Sequence, residues 1–135
     1  MSDERNKEIV KRWIVGIWDR GDFRLMEEIG SEAYAFTTPS DGEMRGEGFR
    51  DFVTAVRSAF PDLNNTIESQ VSDGDIVVTR GTTRGTHEGA FGEIGATGKP
   101  VAIPWVMYTR IQDGRILEDW ELYDALGMMK QLGVV

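Results

Sequence analysis

The chain has 135 residues, 40% hydrophobic and 28% charged, with a formal net charge of −8. That length favours a single domain, residues 1–135, able to bury its own core. The acidic balance argues against nucleic acid and anionic membrane surfaces, both of which need clustered Lys and Arg. The chain has no cysteine, which excludes disulfides, thiol nucleophiles and zinc–thiolate sites. No stretch approaches the roughly 18 consecutive apolar residues of a membrane span. The charged start MSDERNKEIVKRW lacks the apolar run of a secretory signal, so a cytoplasmic location is expected.

Asp3 to Arg20 carries Ile9, Val10, Trp13, Ile14, Ile17 and Trp18 at helical spacing, and Ser2 or Asp3 can cap that helix. Gly21-Asp22 ends it. A second short helix is predicted over Phe23 to Ile29, and a short strand over Ala33 to Thr37. Pro39, Asp41 and Gly42 mark a loop. A third helix runs from Gly46 or Glu47 to Ala59, with Phe49, Phe52, Val53, Val56 and Phe60 along one face, and Pro61-Asp62 stops it.

From there the period changes to two. Strands are predicted over Asn64 to Val71, Ile76 to His87, Val101 to Ile111 and Arg115 to Tyr123. The first pair is joined by a turn at Ser72–Asp75, and Glu88 to Gly98 is a glycine-rich loop. Gln112-Asp113-Gly114-Arg115 is a hairpin signal, because Asp-Gly accepts the positive φ of a type I′ turn. Asp124 to Leu132 closes the chain as a helix that Gly133 stops.

Helices followed by an antiparallel meander predict an α+β fold, with helices packed on one face of a curved sheet. Such a sheet encloses a concavity. Trp18, Phe36, Phe49, Phe60, Trp105, Met107, Trp120 and Leu122 are candidates to line it and to bind a small apolar or aromatic ligand.

The chain resembles the SnoaL-like polyketide cyclase family. The resemblance is carried by Ala59-Phe60-Pro61-Asp62-Leu63, Gly85 to Phe91, Ala96-Thr97-Gly98-Lys99, Arg110 to Ile116, Glu118-Asp119-Trp120 and Asp124 to Gly133, in order along nearly the whole chain. Gly92-Glu93-Ile94-Gly95 departs from the Gly-Ile-Pro common in that loop. The resemblance implies a cone-shaped α+β barrel of the kind shared by nuclear transport factor and ketosteroid isomerase, assembled as a homodimer or homotetramer. It also implies an intramolecular aldol condensation by general acid/base catalysis, with no metal, cofactor or covalent intermediate. The aspartate near the end of the family's last strand is matched best by Asp124.

The residues leave alternatives open. By period two, Glu118, Trp120, Leu122 and Asp124 share one face of the last strand, and the apolar pair argues that this face points inward. Asp124 would then be a desolvated acid/base, but Asp is also a preferred helix N-cap. Glu118 is expected at a solvated rim and Asp119 at the surface. His87, the only histidine, could shuttle protons or be structural. Arg80, Arg84 and Arg110 are expected to point outward. No metal set, phosphate loop or nucleophile elbow is visible. Two further readings stand beside a cyclase: a non-catalytic small-molecule-binding oligomer, and an isomerase, dehydratase or epoxide hydrolase on the same cone.

Overall fold

The computed structural model describes residues 2–135. The Ser2 hydroxyl accepts from the Arg5 amide at 3.1 Å and starts α1, Asp3–Trp13. The expected helix to Arg20 does not stay α. It widens into a π-helical segment, Ile14–Asp19, in which the Arg20 amide reaches back five residues to the Val15 carbonyl at 3.2 Å. Gly16 lies in this segment, where an added Cβ would sit 2.1 Å from Leu25 Cδ1, so glycine lets the short helix α2, Leu25–Glu28, press against it.

The rest of the chain forms β1 (Gly30–Thr38), β2 (Gly42–Met44), α3 (Gly46–Ala59), β3 (Asn64–Asp73), β4 (Ile76–Thr86), β5 (Pro100–Gln112), β6 (Arg115–Tyr123) and α4 (Ala125–Leu132). The strands make one six-stranded sheet in the order β2-β1-β6-β5-β4-β3. Only β1 and β6 run parallel. The sheet is curved but not closed, and the helices pack on it to give a cone-shaped α+β fold. The β5–β6 turn has positive φ at both Asp113 (53°) and Gly114 (75°), as a type I′ hairpin requires. β2, expected as loop, is a three-residue edge strand paired to the end of β1.

The core is aromatic. Trp13, Trp18, Tyr34, Phe36, Phe49 and Phe52 interlock in tilted, edge-on and stacked pairs, with centroids from 4.8 to 6.5 Å apart. A second cluster of Ala59, Phe60, Leu63, Val101, Ile103, Met128 and Leu132 seals α4 against the sheet. Among the described residues no helix is long and apolar enough to cross a membrane.

The last strand departs from its expected face. Ile111 pairs with Ile116 and Arg110 with Glu118, so Leu117 is an extra residue on β6. A one-residue bulge exchanges the faces of everything beyond it. Ile116 is buried, but after the bulge it is Asp119, Glu121 and Tyr123 that turn inward. Trp120 and Leu122, expected inside, are 44% and 53% exposed on the outer face. Asp119, expected at the surface, is buried.

Asp124 is exposed and serves as the N-cap of α4, its Oδ1 accepting from the Gly127 amide at 2.8 Å. Gly127 makes room for this, since a Cβ there would lie 2.1 Å from Asp124 Oδ2. Gly133, at φ 77°, stops the helix as expected. Asp124→Ala should lower the free energy of unfolding by about 1 kcal/mol, and Asp124→Asn by much less, since Asn caps comparably. Urea denaturation of the two variants checks this.

Candidate functional site

The concave side of the sheet and the helices above it enclose a cavity with about 80 Å³ of water-accessible space. Ile14 and Trp18 come from the π-helical segment, and Phe52 and Val56 from α3. Phe60 and Phe91 come from loops, Trp105 and Met107 from β5, and Met128 from α4. Its polar lining is sparse: Asn65, Thr83, Glu121 and Tyr123. Four of the expected lining residues are therefore in place, namely Trp18, Phe60, Trp105 and Met107. Phe36 and Phe49 are instead wholly buried behind Trp18, packed into the aromatic core. Trp120 and Leu122 are outside the cavity altogether.

Two carboxyls project from the inner face of β6, in very different surroundings. Asp119 is paired on both oxygens: Tyr34 Oη donates to its Oδ2 at 2.6 Å and Thr109 Oγ1 to its Oδ1 at 2.5 Å. Burial pushes its pKa up to about 6, held down from further rise by Thr109, Tyr34 and the nearby Trp13 indole. Glu121 lines the cavity, and no group among the described residues donates a hydrogen bond to it. Glu121 is half-buried, and partial loss of solvation at the cavity wall pushes its pKa from an ordinary 4.5 to about 8, with the charges of Asp119 and Asp41 adding to the rise. Beyond it, Tyr123 lines the cavity wall and donates to Asp41 Oδ2 at 2.7 Å, while Thr38 Oγ1 donates to the same oxygen at 2.8 Å.

The geometry gives the sequence candidates other places. Asp124 faces away from the cavity and is occupied as a cap. His87 is fully buried but does not line the cavity. Its Nδ1 accepts from the Thr97 amide at 3.2 Å and its ring packs on Phe60, so it braces the loop between β4 and β5. Arg80, Arg84 and Arg110 point outward, Arg80 and Arg110 to surface carboxylates and Arg84 to Thr66 Oγ1. Among the described residues no cluster could hold a metal ion. Glu121 was not legible as a site residue, because the bulge that turns it inward has no sequence mark.

Helices closing an open curved sheet over an apolar cavity define an α+β cone of the ketosteroid isomerase-like kind. A protein described with that fold, from Catenulispora acidiphila, superposes with a TM-score of 0.78 at 20% identity, covering 95% of this chain and 94% of its own. The chain belongs to the SnoaL-like polyketide cyclase family, whose sequence profile matches residues 8–132. A protein from Acidithiobacillus ferrooxidans named as a candidate polyketide cyclase is 27% identical, with a TM-score of 0.85 and 98% of each chain covered. AclR from Streptomyces galilaeus, named as a candidate hydroxylase, is 25% identical, with a TM-score of 0.87 and 99% of each chain covered. No curated protein matches the chain.

The raised carboxyls make stability pH-dependent. Folded Glu121 keeps its proton to a higher pH than the unfolded chain does. Its favourable contribution is therefore complete below about pH 4.5 and is lost as pH rises towards 8. Asp119 acts with the same sign over a lower window, from 3.8 to about 6. Glu121→Gln, neutral at every pH, should flatten the decline between about pH 5 and 8 and be more stable than the wild type at pH 9. Urea midpoints at pH 5, 7 and 9 measure this.

Proposed function

We propose that this protein is a cyclase-type enzyme that needs no cofactor, with Glu121 as its general acid/base. One observation carries the reading: a carboxyl without a hydrogen-bond partner is held against the wall of an otherwise apolar cavity. Such a group is poised near neutrality, where a proton can be both taken and returned. The substrate class is a small ketone or aromatic polyketide with an activated methylene. The Glu121 carboxylate removes a proton from that carbon, leaving an enolate. The enolate carbon attacks a second carbonyl of the same molecule: a carbon–carbon bond forms and the carbonyl π bond opens to an alkoxide. The alkoxide takes the proton back from the Glu121 carboxylic acid, so the enzyme is restored. Trp18, Phe52, Phe60, Trp105 and Met107 exclude water and hold the ring-forming chain folded.

A pKa of about 8 makes the base the minor form at pH 7, so deprotonation should limit the rate there. Deuterium exchange into activated ketones should rise with pH through an apparent pKa of about 8. It should fall by about 10²–10⁴-fold in Glu121→Gln and be unchanged in Asp124→Asn. Exchange that survives Glu121→Gln would remove Glu121 from the mechanism. No exchange with any ketone would favour a binding module that carries an apolar ligand.

We also infer a homo-oligomer built on the outer sheet face. Val106, Trp120 and Leu122 are 40%, 44% and 53% exposed side by side on β5 and β6. A second copy would cover them. Trp120→Glu should shift sedimentation from the oligomer towards the monomer, and a wild type that sediments as a monomer would refute the inference.

A further inference from the structure

The cavity has a second polar corner, on β4 and β3, two and three strands away from β6 in the sheet order. Asn65 and Thr83 are cross-strand partners there, and both line the cavity. Their geometry starts from a missing side chain. A Cβ on Gly81 would sit 2.5 Å from Trp105 Cζ2, so glycine lets the indole lie close against β4. Thus placed, the indole reaches β3, and its Nε1 donates to Asn65 Oδ1 at 3.1 Å. Thr83 Oγ1 donates to the same oxygen at 2.5 Å.

These partners fix which way the amide points. An indole N–H can only donate, so the atom facing it is the amide oxygen. The amide nitrogen then faces Asp19, donating to Oδ1 at 2.6 Å, while the Asn65 backbone N–H donates to Oδ2 at 3.1 Å. Asp19 ends the π-helical segment, and Arg57 clamps that end by donating to the backbone carbonyls of Trp18 and Asp19. The corner is thus braced from a helix, α3 and two strands.

Its remaining capacity can be counted. Asn65 Oδ1 accepts two hydrogen bonds and is full. Asn65 Nδ2 has used one of its two hydrogens. Thr83 has donated its hydroxyl hydrogen and keeps lone pairs. The free capacity is one donor beside one acceptor, in an otherwise apolar wall. A hydroxyl, which accepts one bond and donates another, complements that pair. A bare hydrocarbon would leave both unpaired.

We propose that Asn65 and Thr83 form a hydroxyl-recognition corner that fixes the phenol or enol end of an aromatic ligand, with the Trp105 indole as the wall beside it. The proposal rests on the reading that this cavity takes an aromatic or ketone ligand, but it uses none of the proton chemistry of Glu121. Asn65 and Thr83 are specificity-determining here, not catalytic.

The test compares 2-naphthol with naphthalene, which differ by one hydroxyl, by titration calorimetry at pH 6. The wild type should bind 2-naphthol at least about tenfold more tightly, since a site built for a hydroxyl rejects the analogue lacking it. Thr83→Val, close in shape, should bring the preference to within about twofold. Asn65→Ser should do the same. If Asn65→Ser does not fold, Thr83→Val, checked by circular dichroism, decides alone. Glu121→Gln should retain the preference. Equal affinities in the wild type, no 2-naphthol binding at millimolar concentration, a tenfold preference persisting in folded Thr83→Val, or its loss in Glu121→Gln would each overturn the proposal. Absence of Glu121-dependent exchange, with the naphthol preference intact, would refute the acid/base reading and leave this one standing.

Discussion

The extra residue at Leu117 is the constraint on which the site depends. Strand side chains alternate, so one inserted residue exchanges the two faces of the strand beyond it. Without the bulge, Trp120 and Leu122 would fill the cavity and Glu121 would stand in water. With it, two carboxyls enter the interior and two large apolar side chains leave it. Both consequences are costly for an isolated monomer. The first is the feature expected of a reactive interior, and the second that of a surface meant to be covered.

The two inward carboxyls divide the work. Asp119 is fully paired by Tyr34 and Thr109, which tie β1 and β5 to β6 deep in the cone. That pairing makes it a structural cross-link, at the expense of an unpaired acid beside it. Glu121 feels the charge of Asp119 in a poorly solvated setting and has no donor of its own. Proximity in one strand thus yields one fixed group and one labile one, and environment rather than residue type separates them.

The helical layer shapes the opposite side. The π-helical widening at Ile14–Asp19 brings Trp18 into the cavity and Asp19 onto Asn65. Gly16 permits this by admitting Leu25, and Gly81 permits the matching approach of Trp105 from the sheet. Absent side chains at these two positions set where the aromatic walls lie. Asn65, Thr83 and Tyr123 are then held by hydrogen bonds to the scaffold and do not depend on a bound ligand for their orientation.

Much of the architecture was readable from local rules. Helical spacing in Asp3 to Arg20 and in Gly46 to Ala59, the change to period two after Pro61, the Asp113-Gly114 turn and the Gly133 stop each follow from backbone preferences of a few residues. The order of these elements is enough for helices packed on one face of a curved sheet, the family resemblance implied the cone, and the aromatic supply is enough for an apolar interior. Trp18, Phe60, Trp105 and Met107 were legible as its lining for the same reason. What the sequence could not carry was parity and pairing. Leu117 bears no mark of a bulge, so the assignment of Trp120, Leu122 and Asp124 to the interior followed the apolar pattern and failed. Phe36 and Phe49 have the chemistry of lining residues, but packing placed them a layer deeper. The site is decided by long-range contacts: Thr109 and Tyr34 meeting Asp119, Trp105 crossing Gly81 to Asn65, and Asp41 held beside Tyr123. Contacts across many residues of chain exist only once the sheet has curved, and the tertiary structure alone determines which acid stands unpaired inside it.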